Sequence, residues 1–132
     1  MHQKFILASS SKSRYKILKN AGLNFTQKKP NCNEEDIKKT INRKTKPEIF
    51  AKKLSYEKAR SVSIKKFYAN KIVLGCDTVI YHNGKILDKV NSVDKAKKKI
   101  KSLSGKEHLI VSGLTICSVS YTHLTLPTIP TV

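Results

Sequence analysis

Four apolar residues, Phe5-Ile6-Leu7-Ala8, stop abruptly at Ser9-Ser10-Ser11. Such a run predicts a short strand that enters a polar turn. Beyond Arg14, apolar residues recur at Ile17, Leu18 and Ala21 before Gly22, the spacing of a helix face closed by a glycine C-cap. Phe25 opens a second predicted strand, and residues 28–45 are polar enough to predict a loop. Thr45-Lys46-Pro47-Glu48 then combines a Thr N-cap, Pro at the first helical position and Glu at the capping-box position. A helix is predicted over residues 47–63, with Phe50, Ala51, Leu54, Ala59 and Val62 on one stripe.

Residues 71–80 hold the most strand-like run, Ile72-Val73-Leu74 leading into Gly75-Cys76-Asp77. Its continuity predicts a central strand covered on both faces. Asn83-Gly84, between Val79-Ile80-Tyr81 and Ile86-Leu87, suits the positive φ angles of a type I′ hairpin. Ser92 caps a helix carrying Val93, Ala96, Ile100 and Leu103 at three-four spacing, and residues 108–117 predict a last strand. Helices alternating with strands, plus one hairpin, make a mixed α/β domain.

A length of 132 residues allows one domain with a real core and excludes a multidomain assembly. Lys and Arg total 27 against 9 Asp and Glu, a formal net charge of +18, and only Arg14, Arg43 and Arg60 are arginine. So large a surplus points to polyanions such as nucleic acid or an anionic membrane surface. Its distribution argues otherwise: the lysines are scattered, without arginine forks or interleaved aromatics. Solvated surface lysine is the favoured reading, and a small basic nucleic-acid-binding protein the alternative. Cys32, Cys76 and Cys117 form no C-x-x-C pair, which argues against zinc and disulfides and for a reducing, cytoplasmic compartment. No window reaches the length of a membrane span.

Residues 119–132 contain no Lys, Arg, Asp or Glu, whereas residues 1–118 contain all of them. The string from Val119 to Thr128 also resembles an in-frame translation of a transposase-type sequencing adapter. Residues 119–132 are therefore expected to be non-native read-through, leaving residues 1–118 as the domain.

Ser9 to Arg14, between the first strand and first helix, offers hydroxyls, backbone N–H groups and a guanidinium at a helix N-terminus. It reads either as a phosphate cradle or as a serine-rich cap. Asp77 should emerge at a strand end, where a carboxylate can hold a divalent cation or deprotonate water, or simply form a turn. Glu34 and Glu35 can add a second carboxylate or remain solvated. Lys58 lies at the edge of the apolar stripe, where lysines usually snorkel. Lys89, after the hairpin, can point back toward Asp77. The four histidines share no metal-ligand spacing, and G-x-S-x-G and Walker-type loops are absent, so hydrolase triads and P-loop NTPases are excluded.

Taken in order, these segments resemble the Maf family of nucleotide pyrophosphatases. Ile6 to Arg14 is similar to its I-L-A-S-x-S-P-R-R, Asn33-Glu34 to its D-E, and Lys58-Ala59 to its helical K-A. Gly75-Cys76-Asp77-Thr78-Val79 resembles G-A-D-T-V, the segment from Asn83 to Lys89 D-G-x-x-L-G-K-P, and Leu103 to His108 L-S-G-K-x-H. The resemblance covers residues 5–117 and implies an ITPase-like α/β architecture with a mixed sheet and flanking helices. It implies hydrolysis of a nucleoside triphosphate to the monophosphate and pyrophosphate. Asp77 would activate water, and Glu34 with Asp77 would hold Mg²⁺ or Mn²⁺. Ser9, Ser11, Arg14, Lys58 and Lys89 would bind the substrate, and Ser13 and Thr78 would set base specificity.

The sequence also departs from the family pattern. Ser13 replaces the first arginine of R-R, Lys12 the proline, and Asp88 and Val90 the glycine and proline around Lys89. Thr78 resembles the branch that acts on dTTP and UTP. Ser13 matches neither that branch's arginine nor the bulky aromatic of the 7-methyl-GTP branch, so base preference stays open. A homodimer and a part in inhibiting septum formation are further implications of the resemblance. The family's chain continues beyond the strand near Cys117 into the other wall of the cleft. A chain ending here is therefore expected to lack the C-terminal part and to be a catalytically inactive fragment of an active gene product.

Overall fold

The computed structural model describes residues 4–42, 44–65, 68–87, 90 and 92–118. The tail expected to be read-through therefore lies outside the described residues. β1 (Phe5–Ala8) leads into α1 (Lys12–Asn20), whose N-cap Ser11 accepts from the Arg14 N–H at 3.2 Å. Ala21 ends the helix, and Gly22 at φ +78° turns the chain toward β2 (Phe25–Lys28). β2 pairs parallel with β1, placing Phe25 opposite Phe5 with their rings stacked 5.3 Å apart. Tyr15 of α1 meets the Phe25 ring edge-on, locking the crossover onto the sheet.

The segment expected to be a loop contains a short helix, α2 (Glu34–Lys39). Asn33 Oδ1 caps it by accepting from the Asp36 N–H, with Glu34, Glu35 and Asp36 in the first turn and Lys38 and Lys39 in the last. Both ends thus match the helix dipole, a signal that overall polarity conceals. α3 (Pro47–Ser63) has the expected extent, but Lys46 rather than Thr45 is its N-cap, without a side-chain cap bond. The pre-set φ of Pro47 starts this helix in place of a hydroxyl cap.

β3 (Val73–His82) is the spine of a five-stranded mixed sheet. On one edge β1 pairs parallel with its first half through Gly75, and β4 (Lys85–Leu87) pairs antiparallel from Ile80 onward. The two neighbours leave a split in the sheet opposite Cys76 to Val79. β5 (Leu109–Cys117) runs antiparallel along the other edge from Val73 to Tyr81. The hairpin turn has φ 55° at Asn83 and 75° at Gly84, as the Asn-Gly pair predicts.

α3 covers one sheet face. Phe50, Ala51, Leu54, Ala59 and Val62 are buried against Val73, Val79 and Cys117, and each fully buried large side chain contributes about 1.5–3 kcal/mol. Glycines set the closeness of this contact. A Cβ on Gly75 would overlap the Ser55 carbonyl oxygen and lie 2.7 Å from Ala59 Cβ, and one on Gly113 would lie 2.6 Å from the Ala51 carbonyl. Buried Ser55 and Thr115 share a hydroxyl hydrogen bond of 2.7 Å across the same contact.

The opposite face differs from the expectation of a doubly covered strand. α1 lies over β1 and β2 and reaches the middle of β3 through Arg14, whereas Ile110, Leu114 and Ile116 of β5 are exposed. In α4 (Val93–Leu103), capped by Ser92 as expected, Val93 and Ile100 are also exposed and no residue is buried.

Candidate active site

The split in the sheet positions the site. Asp77 does not end a strand as expected but sits in the middle of β3, where Asp77 and Thr78 fall between the ends of β1 and β4 and strand alternation sends their side chains to opposite faces. Asp77 is buried on the α3 side, and Thr78 is half-buried on the α1 side.

On the α3 side, Lys58 Nζ lies 2.7 Å from Asp77 Oδ1 and 2.7 Å from Glu34 Oε1. The expected snorkelling lysine is instead only 4 % exposed, its ammonium buried between two carboxylates. The stripe-edge position aims the stem inward because α2 and β3 supply acceptors there. Burial by itself lowers the pKa of Lys58, but the hydrogen bonds to Asp77 and Glu34 outweigh it and hold the ammonium above the usual lysine value. Glu34 is thus paired with a buried ammonium rather than a solvated charge. Glu35 is exposed and pairs loosely with Lys38 at 3.9 Å.

The turn after β1 is held rigidly. Ser9, itself buried, receives the Ser11 N–H on its hydroxyl at 3.1 Å, and the Gln27 amide donates to the Ser11 carbonyl at 3.1 Å. Ser9, Ser10, Ser11, Arg14, Lys29, Cys32, Glu34 and Lys58 line a cavity of about 350 Å³. It joins hydroxyls, backbone N–H groups at a helix start and three cations, a setting for a polyphosphate.

On the other face, a cavity of about 630 Å³ is lined by Ser13, Arg14, Ile17, Leu18, Leu74, Thr78, Ser112 and Leu114. It is largely apolar with a few hydroxyls, a setting for a flat organic group. Arg14 borders both cavities and donates from Nη2 to Thr78 Oγ1 at 2.9 Å. Thr78 Oγ1 in turn lies 2.8 Å from Ser112 Oγ.

Of the residues singled out in the sequence, Ser9, Ser11, Arg14, Glu34 and Lys58 line the first cavity, and Ser11, Ser13, Arg14, Asp77 and Thr78 the second. Lys89 lies outside the described residues. Gln27, Lys29, Cys32 and Ser112 were not anticipated. Ser112 had a signal, since it interrupts the otherwise apolar alternation of Ile110, Leu114 and Ile116. Burial pushes the thiols of Cys32 and Cys76 above the usual cysteine range, so both are held protonated at neutral pH.

The donor set also bears on a metal. Among the described residues no three His, Cys, Asp or Glu side chains converge. Lys58 occupies Glu34 Oε1 and Asp77 Oδ1, so these two hard carboxylates have only their other oxygens to offer, which fits an ion such as Mg²⁺ that fills most of its shell from water and phosphate oxygens. Among the described residues no helix is long and apolar enough to cross a membrane.

Residues 4–128 match the family described as Maf-like protein. The chain is 40 % identical over 111 residues to a dTTP/UTP pyrophosphatase of Thermosipho melanesiensis, covering 84 % of this chain and 55 % of that protein. It is 36 % identical over 117 residues to a nucleoside triphosphate pyrophosphatase of Pelagibacter ubique, covering 88 % and 59 %. It is 35 % identical over 111 residues to a 7-methyl-GTP pyrophosphatase of Bartonella henselae, covering 84 % and 54 %. The chain thus spans somewhat over half the length of the curated relatives it matches.

Proposed function

The chain belongs to the Maf-like protein family, and from that premise we propose that its site serves a nucleoside triphosphate pyrophosphatase. The observation that carries this reading is the buried Lys58 ammonium clamped by Asp77 and Glu34 beside the Ser9–Ser11 turn and Arg14. The relatives' names share pyrophosphate release from nucleotides and differ in the base.

In this reading Arg14, Lys58, Lys89 and the hydroxyls of Ser9 and Ser11 hold the triphosphate. Asp77 orients a water molecule. The water oxygen bonds to phosphorus, the bond to the oxygen bridging the α- and β-phosphates breaks, and pyrophosphate departs. Asp77 takes the water's proton on Oδ2, because Oδ1 is held by Lys58. The pair needs no charge rearrangement before the reaction, since Lys58 already faces the charge that develops. Glu34 and Asp77 would hold Mg²⁺ or Mn²⁺, which when bound lowers the pKa of water and neutralises phosphate charge. Ser13 and Thr78, on the second cavity, read the base. Unpaired Cys32, Cys76 and Cys117 favour a reducing compartment, the cytoplasm, as the place of work. A homodimer, implied by the resemblance alone, is carried along with this reading.

The test is pyrophosphate release from UTP, dTTP, CTP and 7-methyl-GTP by the full-length gene product. Asp77→Asn should lower turnover by about two to three orders of magnitude, the usual worth of a general base. Turnover unchanged in that variant would overturn the assignment of Asp77. Release from none of the four nucleotides would overturn the pyrophosphatase reading itself, whereas tight, salt-sensitive nucleic-acid binding indifferent to Asp77→Asn would point to the lysine surface instead.

A further inference from the structure

The mechanism leaves one polar group on the open sheet face unused. Ser112 is the cross-strand partner of Thr78, and their hydroxyl oxygens are 2.8 Å apart. Its same-face neighbours along β5 are Ile110, Leu114 and Ile116, so a hydroxyl here is an exception to an apolar row. Arg14 carries only donors, which forces Thr78 Oγ1 to accept from Nη2. That leaves the Thr78 hydroxyl its own O–H to donate, and Ser112 Oγ lies within reach to accept it.

We propose that Ser112 is a positioning residue of this site, which accepts a hydrogen bond from the Thr78 hydroxyl and thereby fixes the Thr78 oxygen as the docking point of the Arg14 guanidinium. The inference rests on the pyrophosphatase reading and adds to it a residue on β5 that touches neither the phosphates nor the reacting water. The relay Arg14–Thr78–Ser112 joins α1, β3 and β5 across the boundary of the two cavities. It fixes one N–H of the fork on protein and leaves the remaining donors aimed from a pre-set rotamer at the substrate. Without Ser112 the Thr78 hydroxyl turns freely, and substrate binding must supply the ordering of Arg14.

Steady-state pyrophosphate release by the full-length gene product tests this with Ser112→Ala, Ser112→Thr, Thr78→Val and the Ser112→Ala/Thr78→Val pair. Ser112→Ala should raise KM about fivefold, the worth of one net hydrogen bond, with kcat changed less than about twofold. Ser112→Thr, which keeps the hydroxyl, should restore KM. In the Thr78→Val background the added Ser112→Ala should change KM by less than about 1.5-fold, because the relay is already cut. Wild-type behaviour of Ser112→Ala, failure of Ser112→Thr to rescue, or independent multiplication of the two losses would overturn the proposal while leaving the pyrophosphatase reading intact. A wild-type protein that releases no pyrophosphate would overturn both.

Discussion

Replacing Lys58 by methionine keeps the length of the stem and removes the ammonium from between Asp77 and Glu34. At 2.7 Å, and with an effective dielectric of about 20, each contact carries about 6 kcal/mol of Coulomb attraction. Desolvation of three charged groups cancels much of that in the intact cluster, because each buried ion costs several kcal/mol to strip of water. Removing only the cation strands the desolvated carboxylates. The outcome is therefore set by the broken pair rather than by the worth of the pair, and Lys58→Met should cost about 3–5 kcal/mol. Urea unfolding at neutral pH measures this directly. The Lys58→Met/Asp77→Asn pair should recover more than half of the loss, as Glu34, the more exposed carboxylate, loses its Lys58 contact but keeps Lys38 3.9 Å away. A single variant within about 1 kcal/mol of wild type, or a pair no more stable than the single variant, would refute a buried clamp.

Other expectations follow from packing and titration. Gly113→Ala should destabilise by about 1–3 kcal/mol or more, because its Cβ meets the α3 backbone rather than a side chain that can move aside. Gly22→Ala meets no atom and should cost only about 1 kcal/mol through its positive φ, so the reverse order in urea unfolding would contradict the closeness of α3 and β5. Burial raises the thiol pKa of Cys32, Cys76 and Cys117 from 9.0, and the carboxylate bonds raise that of Lys58 from 10.5. Folded groups that keep their protons longer than unfolded ones stabilise the fold below those values and lose that advantage as pH rises through the folded values. The melting temperature should accordingly fall steadily above about pH 9, and a flat alkaline profile would count against these burials.

The sequence makes local structure legible where one short-range signal dominates. Asn83-Gly84 specifies its turn because few other residues adopt two successive positive φ angles, and Pro47 marks a helix start because its own φ is fixed. α2 was obscured because its capping Asn33 and graded charges read, in composition alone, as a polar loop. The burial of Lys58 is hard to read for a related reason. Whether a stripe-edge lysine snorkels depends on what the neighbouring elements offer, and Glu34 and Asp77 reach it from α2 and β3. Ser112 was the least legible, since its partner is chosen by the register of β5 on β3, a pairing of residues 34 apart in sequence.

That register gives the Asp77-Thr78 dipeptide its significance. A continuous strand pairing along that edge of β3 would bury both residues within the sheet. Because β1 and β4 end opposite Gly75 and Ile80, the dipeptide instead sits at a break between them. One residue then meets the cation of α3, and the next meets the cation of α1. The spacing between a phosphate-side group and a base-side group is thereby fixed by a single peptide unit, the stiffest link the chain offers. Under the proposed reading this couples the choice of base to the reaction. A displacement of Thr78 by an ill-fitting base would be transmitted directly to the Asp77 carboxylate, and would be expressed in kcat as well as in KM.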